Sequence, residues 1–245
     1  MAKSGSRRSC PGKLRPGPSN WTAKRGNSGF SHRRPFICLG ERFCATPQES
    51  GCVPVQAGVN WLKMDTIMQT LVIIDAQNEF SAGGKRPVPD VLPALEVIKK
   101  RIAIARKNGT PIAWVRHFNR PHESPAFMPG TWGSEYLPGL GPDVSNTLER
   151  EFKKDVYGAF TGSDIGSWLT DMGSSAVLIT GFYTHGCVST TSREAIMAGL
   201  AVSIDPDATA TIALEHALLG KISAAQSKVA ALLQLENMGA RMEAL

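Results

Sequence analysis

Cysteine is almost absent from the larger part of this sequence. Of five cysteines among 245 residues, four lie before residue 64 and only Cys187 follows. Residues 64–245 therefore cannot form a disulfide among themselves. The early cysteines form no CxxC pair and match no common zinc spacing, which argues against a metal or disulfide site there. They are Cys10, Cys38, Cys44 and Cys52.

Long apolar runs and phosphate-binding patterns are also missing. No run approaches the roughly 20 residues that span a bilayer, and no charged start leads into the apolar stretch of a secretory signal. We therefore expect a soluble, cytoplasmic protein with no membrane partner. SAGGKRP, residues 81–87, lacks the leading glycine and the Ser or Thr of a phosphate loop, and no GxGxxG follows an apolar run. These absences disfavour a nucleotide-binding protein, and we expect no cofactor.

Acidic residues are scarce only in the first quarter of the chain. Residues 1–63 hold 11 Lys/Arg and 2 Asp/Glu, whereas residues 64–245 hold 16 and 19. The first segment is rich in Gly, Ser, Pro and Arg and has no hydrophobic period, which predicts a basic, disordered tail that can be removed without loss of fold. Its composition is also typical of a transit peptide or a nucleic-acid-binding arm. A further interpretation makes Met64 the natural start, with translated upstream sequence before it.

From residue 70 onward, β-rich apolar runs alternate with amphipathic stretches. Strands are predicted at 70–75, 111–117, 149–154, 176–182, 200–208 and 240–245. Helices are predicted at 90–107, 164–172, 187–198 and, in two pieces, 209–238. A polar loop, 118–147, is long enough to indicate a functional role. The alternation predicts an α/β domain over 64–245: a three-layer, Rossmann-like parallel sheet of about six strands with helices on both faces.

Three chemically useful residues fall at the ends of predicted strands. Asp75 ends the first strand, Lys154 ends the third, and Cys187 follows the fourth. Ligands of parallel sheets bind outside the carboxyl ends of the strands, so these side chains are expected to share one cleft. Each has an ordinary alternative: a turn cap, a surface charge and a small core residue. Cys187 would also open a helix, where unpaired N–H groups favour a thiolate.

Three segments carry a resemblance to a known family. VIIDAQNEF, KKDVYGAFTGSDI and ITGFYTHGCVSTTSREA resemble the signature blocks of the isochorismatase-like cysteine hydrolases, a superfamily that includes nicotinamidases and N-carbamoylsarcosine amidases. The resemblance runs from about residue 68 to about 240. It implies that Asp75, Lys154 and Cys187 occupy the Asp-Lys-Cys triad positions. It also implies a cis peptide between Phe182 and Tyr183, with the N–H groups of Tyr183 and Cys187 forming an oxyanion hole.

The resemblance further implies hydrolysis of a C–N bond of a small molecule through a thioester. Nicotinamidases bear an Asp and histidines as metal ligands after the second strand. Here Val115 replaces that Asp, two residues before His117, so no metal is expected. Phe80, His117 and Trp132 are candidate substrate contacts. The resemblance also favours a homodimer or homotetramer, and residues 64–245 are expected to bind no nucleic acid.

Other functions remain open from the residues alone. Isochorismatases of the same superfamily hydrolyse a vinyl ether and have a glycine at the position of the nucleophile, so Cys187 favours C–N hydrolysis over that reaction. A redox protein with Cys187 as its reactive thiol is another possibility. That reading gives no role to Lys154. A binding module with an inactive site is the third alternative.

Overall fold

The computed structural model of this protein describes residues 68–245. The expectations for the basic tail, residues 1–63, and for its four cysteines lie outside the described residues.

A six-stranded sheet forms the centre of the domain, and all its strand pairs are parallel. The strands in spatial order are β3 (Glu149–Lys154), β2 (Ile112–His117), β1 (Gln69–Ile74), β4 (Ala176–Phe182), β5 (Ala201–Ala210) and β8 (Arg241–Met242). This arrangement confirms the predicted fold class. The chain order reverses direction next to β1, and at such a point the strand ends open into a cleft.

Helices cover both faces of the sheet. They are α1 (Val91–Asn108), α2 (Ala159–Gly162), α3 (Ile165–Asp171), α4 (Ser189–Met197) and α5 (Ala224–Asn237). Leu71 and Ile73 of β1 belong to the core cluster that contains α1. Val72 and Ile74 point the other way, into the cluster that contains residues of α3, α4 and α5. The strands are therefore apolar on both sides, as expected for a buried parallel sheet.

Local sequence explains where several helices begin and end. In α1 the buried residues Leu95, Ile98 and Ile102 recur at helical spacing. Gly109 ends this helix in the left-handed conformation, with φ 65°, and its N–H donates to the carbonyl of Ala105. The start of α5 is a capping box, in which Ser223 and Gln226 exchange hydrogen bonds.

The predicted pair of helices over 209–238 is wrong in its first half. Strand β5 continues to Ala210, and a hairpin follows, made of β6 (Leu214–His216) and β7 (Gly220–Ile222). Only α5 is helical. The extension of β5 pairs Thr209 and Ala210 with the end of β4 after a register shift, and these contacts between distant segments override local helix propensity.

Two further helix starts differ from the prediction. The helix expected from Cys187 begins at Ser189, and Cys187 lies in the preceding wide helical turn, Thr184–Val188. Asp164 precedes α3 but makes no side-chain cap. Its carboxylate instead accepts a hydrogen bond from Arg150 at 2.6 Å.

A buried ion pair joins α1 to the far edge of the sheet. Arg101 Nε donates to Asp205 Oδ2 of β5 at 2.7 Å, and the guanidinium also donates to the backbone carbonyl of Glu243 beyond β8. The other oxygen of Asp205 accepts the N–H of Asp207. Within residues 68–245, no helix has both the length and the apolar character needed to cross a membrane.

Candidate active site

The strand ends bring Asp75, Lys154 and Cys187 together. Strands β1, β3 and β4 are parallel, so Asp75 after β1, Lys154 at the end of β3 and Cys187 after β4 lie at the same edge. Lys154 Nζ donates to Asp75 Oδ2 at 2.8 Å and to Cys187 Sγ at 3.3 Å. All three residues are buried.

A fourth side chain completes the surroundings of the lysine. His117 at the end of β2 places Nδ1 3.3 Å from Lys154 Nζ. The ammonium therefore has an oxygen, a sulfur and a nitrogen acceptor for its three N–H bonds. One of these acceptors is the buried Asp75 carboxylate. The positive charge of the ammonium offsets the free-energy cost of burying that carboxylate.

Burial and neighbouring charges shift the pKa values of Lys154 and Cys187. Burial disfavours the Lys154 ammonium, but the charges of Asp75 and Cys187 outweigh it and raise the pKa of Lys154. Burial, reinforced by the Asp75 carboxylate, raises the pKa of the Cys187 thiol well above its ordinary value, although Lys154 opposes the shift. The resting site therefore holds an ammonium and a neutral thiol.

The backbone presents Asp75 at the edge in an unusual conformation. Its φ is 50°, and its N–H donates to Val115 O of the neighbouring strand at 2.9 Å. Asp75 Oδ2 accepts from Lys154, whereas Oδ1 is buried and has no hydrogen-bond partner among the described residues. One carboxylate oxygen is thus available to accept a proton.

The turn that carries Cys187 begins with a close contact between strands. Gly181 has φ 110°, and a Cβ there would overlap the carbonyl oxygen of Ile74 on β1. Only glycine permits this approach. The Phe182–Tyr183 peptide that follows is cis, and the turn closes where Val188 N–H donates to Tyr183 O at 3.2 Å.

His117 is held by two residues that the sequence analysis missed. Gln77 accepts the His117 N–H at 2.8 Å and donates to its carbonyl at 3.0 Å, which fixes the backbone. Asn119 donates through Nδ2 to Ala126 O at 2.9 Å, so its Oδ1 faces His117 Nε2 at 2.7 Å. The imidazole must then carry its proton on Nε2 and offer the Nδ1 lone pair to Lys154. Gln77 lies two residues after Asp75 within VIIDAQNEF, and this position was the signal from which a role near the site could have been predicted.

The residues present do not fit a metal ion. Candidate ligand atoms of Asp75, His117 and Cys187 lie within 4.8 Å of one another. However, the Lys154 ammonium contacts all three, so a cation already occupies the place that a metal would take. Nε2 of His117 is engaged by Asn119, and Val115, at the position of the nicotinamidase Asp, is a buried apolar residue.

The three-residue cluster opens into a cleft of about 930 Å³ beside the 118–147 loop. Among the candidate substrate contacts, Phe80 and His117 line it together with Tyr183. Trp132 lies elsewhere: its ring packs over Gly83 and lines a separate apolar pocket. Trp132 begins the short turn Trp132–Ser134, and Asn78 Nδ2 donates to Trp132 O at 3.1 Å.

Comparison with known proteins agrees with the fold. Residues 69–240 match the family model described as the isochorismatase domain. Nicotinamidase 3 of Arabidopsis thaliana is 30% identical over 58% of this chain and 72% of its own length. Streptothricin hydrolase of Streptomyces noursei is 29% identical over 59% of this chain and 55% of its own length. The crystal structure of a putative isochorismatase from Burkholderia xenovorans has a TM-score of 0.65 and 31% identity, covering 72% of this chain and 83% of that one.

The fold and these relatives define the class of protein as a hydrolase with an α/β fold. The chain belongs to the isochorismatase domain family, as its three sequence blocks predicted.

Proposed function

We propose that this protein is a cysteine hydrolase that cleaves a C–N bond of amide, carbamoyl or ureido type in a small molecule. The observation that carries the proposal is the Lys154 ammonium, which lies 2.8 Å from the Asp75 carboxylate and 3.3 Å from the Cys187 sulfur. A cation within hydrogen-bond reach of both a base and a nucleophile brings together the parts that covalent catalysis needs.

The first half of the reaction forms a thioester. Cys187 begins as a thiol because its pKa is raised by burial, so the proton must leave as sulfur attacks the carbonyl carbon. Asp75 accepts this proton, and Lys154 stabilises the negative charge on sulfur. The N–H groups of Tyr183 and Cys187 bind the developing oxyanion, an interaction worth about 3 kcal/mol per donor in comparable enzymes. Asp75 then returns the proton to the departing amine.

The second half regenerates the enzyme. Asp75 removes a proton from water, the hydroxide attacks the thioester, and the acid leaves as sulfur recovers its proton from Asp75. The net reaction consumes one water and releases an acid and an amine or ammonia. Lys154 remains protonated throughout, in agreement with its raised pKa.

The remainder of the cleft has a binding role in this proposal. Phe80 and Tyr183 supply apolar faces, with ring centroids 4.8 Å apart. His117 lines the same cleft, but its ring nitrogens are engaged by Lys154 and Asn119. We therefore assign His117 to the positioning of Lys154 rather than to a direct hydrogen bond with substrate.

The test is capture of the acyl group. A panel of primary amides, carbamoyl compounds and ureido acids is screened for ammonia release, and intact mass is measured after rapid acid quench. We expect one acyl adduct on Cys187, with the four tail cysteines unmodified as internal controls. Cys187→Ala should abolish both adduct and turnover, and Asp75→Asn should lower kcat by at least roughly a thousandfold.

Retention of full hydrolysis by Cys187→Ala would refute the thiol mechanism. It would favour the vinyl-ether chemistry of isochorismatases instead. Reversible oxidation of Cys187 with no hydrolysis of any compound would favour a redox role.

A further inference from the structure

The carboxylates that line the cleft already have partners. Asp75 is paired with Lys154, and Asp155 accepts from Arg120 Nε at 2.6 Å. Glu123 accepts the backbone N–H of Arg120 at 3.2 Å. The cleft also contains Arg86. This guanidinium forms no hydrogen bond or ion pair with any residue in 68–245, whereas Arg120, the other arginine of the lining, is paired with Asp155.

The backbone of Arg86 is fixed from both sides. Its N–H donates to Glu79 O at 3.0 Å, and its carbonyl accepts from the Tyr183 hydroxyl at 3.2 Å. Gly84 packs directly on the Glu79 backbone, where a Cβ would overlap. Buried Glu79 in turn accepts the Lys85 N–H at 2.6 Å. The arginine is therefore presented from a well-anchored loop, and little backbone entropy is lost when it binds a ligand.

Tyr183 links this arginine to the reacting centre. Its N–H belongs to the proposed oxyanion hole, and its hydroxyl holds the Arg86 carbonyl. Burial raises the pKa of Tyr183 to about 12, while the nearby Arg86 charge opposes the rise. Arg86, Tyr183 and Cys187 all line the same cleft.

Tyr183, whose hydroxyl holds the Arg86 carbonyl, belongs to an aromatic and apolar part of the cleft lining. Phe80 contacts Phe127 and Tyr183, with ring centroids 5.2 and 4.8 Å apart, and Ile212 lines the same cleft. A ligand that fits has an apolar or planar body and an anionic end. Arginine binds carboxylates with two parallel hydrogen bonds, so it selects this group by geometry as well as by charge.

We propose that the substrate is an acid: a small molecule with a free carboxylate, bound by Arg86, and a primary amide or carbamoyl group at its other end, presented to Cys187. This inference rests on the proposed function for the reaction at Cys187. Half-amides of dicarboxylic acids and N-carbamoyl amino acids share this chemistry, and matched probes distinguish them. Arg86 is then the residue that determines specificity.

The hydrolysis experiment compares acids with neutral analogues. Malonamate, succinamate and glutaramate are assayed against butyramide, and N-carbamoyl-β-alanine against N-propylurea. We expect the preferred acid to exceed its neutral analogue in kcat/KM. Arg86→Met should reduce kcat/KM for the acid roughly 10- to 100-fold and leave the neutral amide nearly unchanged. Lys107→Met, which removes a charge at the opposite end of α1, is the control and should change neither.

A binding experiment separates this inference from the proposed reaction. Cys187→Ala protein, with and without Arg86→Met, is titrated with the same acids and neutral analogues by calorimetry. We expect a Kd for the preferred acid that weakens at least roughly tenfold on loss of Arg86. Equal binding of acids and neutral compounds, or a preference for acids that survives Arg86→Met, would overturn the inference even if amides are hydrolysed. Selective binding of acids without ammonia release would instead contradict the proposed reaction.

Discussion

At the scale of single residues, the site is organised around one ammonium group. Lys154 contacts Asp75, Cys187 and His117, whose acceptor atoms are an oxygen, a sulfur and a nitrogen, respectively. The contact with His117 depends on a tautomer that Asn119 selects. His117 therefore acts through Lys154 and is a positioning residue.

We expect His117→Phe to lower kcat roughly 10- to 100-fold with a smaller change in KM. The phenyl ring keeps the bulk but removes the acceptor, and a hydrogen bond to a charged group contributes about 1.5–3 kcal/mol. His117→Asn should recover part of kcat, since its amide oxygen can take the place of Nδ1. Steady-state kinetics of these variants measure the effect.

His122→Phe is the matched control, because His122 also lines the cleft and makes no hydrogen bond within the described residues. A loss confined to KM in His117→Phe, or an equal loss in both variants, would argue against a positioning role.

At the scale of secondary structure, the end of β4 decides how closely the nucleophile turn approaches Asp75. Gly181 is paired with Ile74 in the β1–β4 register, directly before Asp75. A side chain at 181 would push these strands apart where the carboxylate and the thiol must meet. The absence of a side chain at Gly181 therefore permits both the β1–β4 pairing and the approach of the nucleophile turn to Asp75.

We predict that Gly181→Ala lowers the free energy of unfolding by roughly 3 kcal/mol or more, because it combines backbone overlap with a positive φ. Gly173→Ala separates the two causes: its φ is 66°, and a Cβ there meets nothing within 4 Å. That control should lose only about 1 kcal/mol, the usual penalty for a non-glycine residue in this conformation. Chemical denaturation measures both, and similar losses would show that the overlap is relieved by a small shift.

At the scale of the whole molecule, one arginine ties together segments that are far apart in the chain. Arg101 of α1 contacts Asp205 of β5 and the backbone of Glu243, and the Asp205 carboxylate is fully buried. The same carboxylate caps the irregular segment through which β5 extends along β4. The ion pair thus stabilises the extension of β5, which the local sequence did not predict.

We expect Arg101→Met to lower the free energy of unfolding by roughly 3–5 kcal/mol, since it leaves Asp205 buried without its counter-charge. Lys99→Met, two residues earlier on the same helix, breaks an exposed pair with Glu96 and should cost less than about 1 kcal/mol. Thermal and urea unfolding provide the measurement. Equal effects would mean that Asp205 is satisfied by backbone donors alone.

The sequence by itself determined the α/β class, five of the six strands of the sheet to within about two residues and the family. It also placed Asp75, Lys154 and Cys187 at strand ends. Apolar runs and helical periods are local signals, and parallel strands necessarily bring their carboxyl ends to one edge. Residue types at those ends could therefore be combined into one cleft before any contact was known.

Only the tertiary structure decided the β5 extension, the hairpin after it and the surroundings of the cluster. Gln77 and Asn119 act on His117, and Arg86 is held by Tyr183, a residue 97 positions away. Trp132 lines a different pocket, and the Asn78 side chain donates to its backbone carbonyl. Such contacts join segments that are distant in the chain. Their geometry depends on packing, which no local pattern of residue types records.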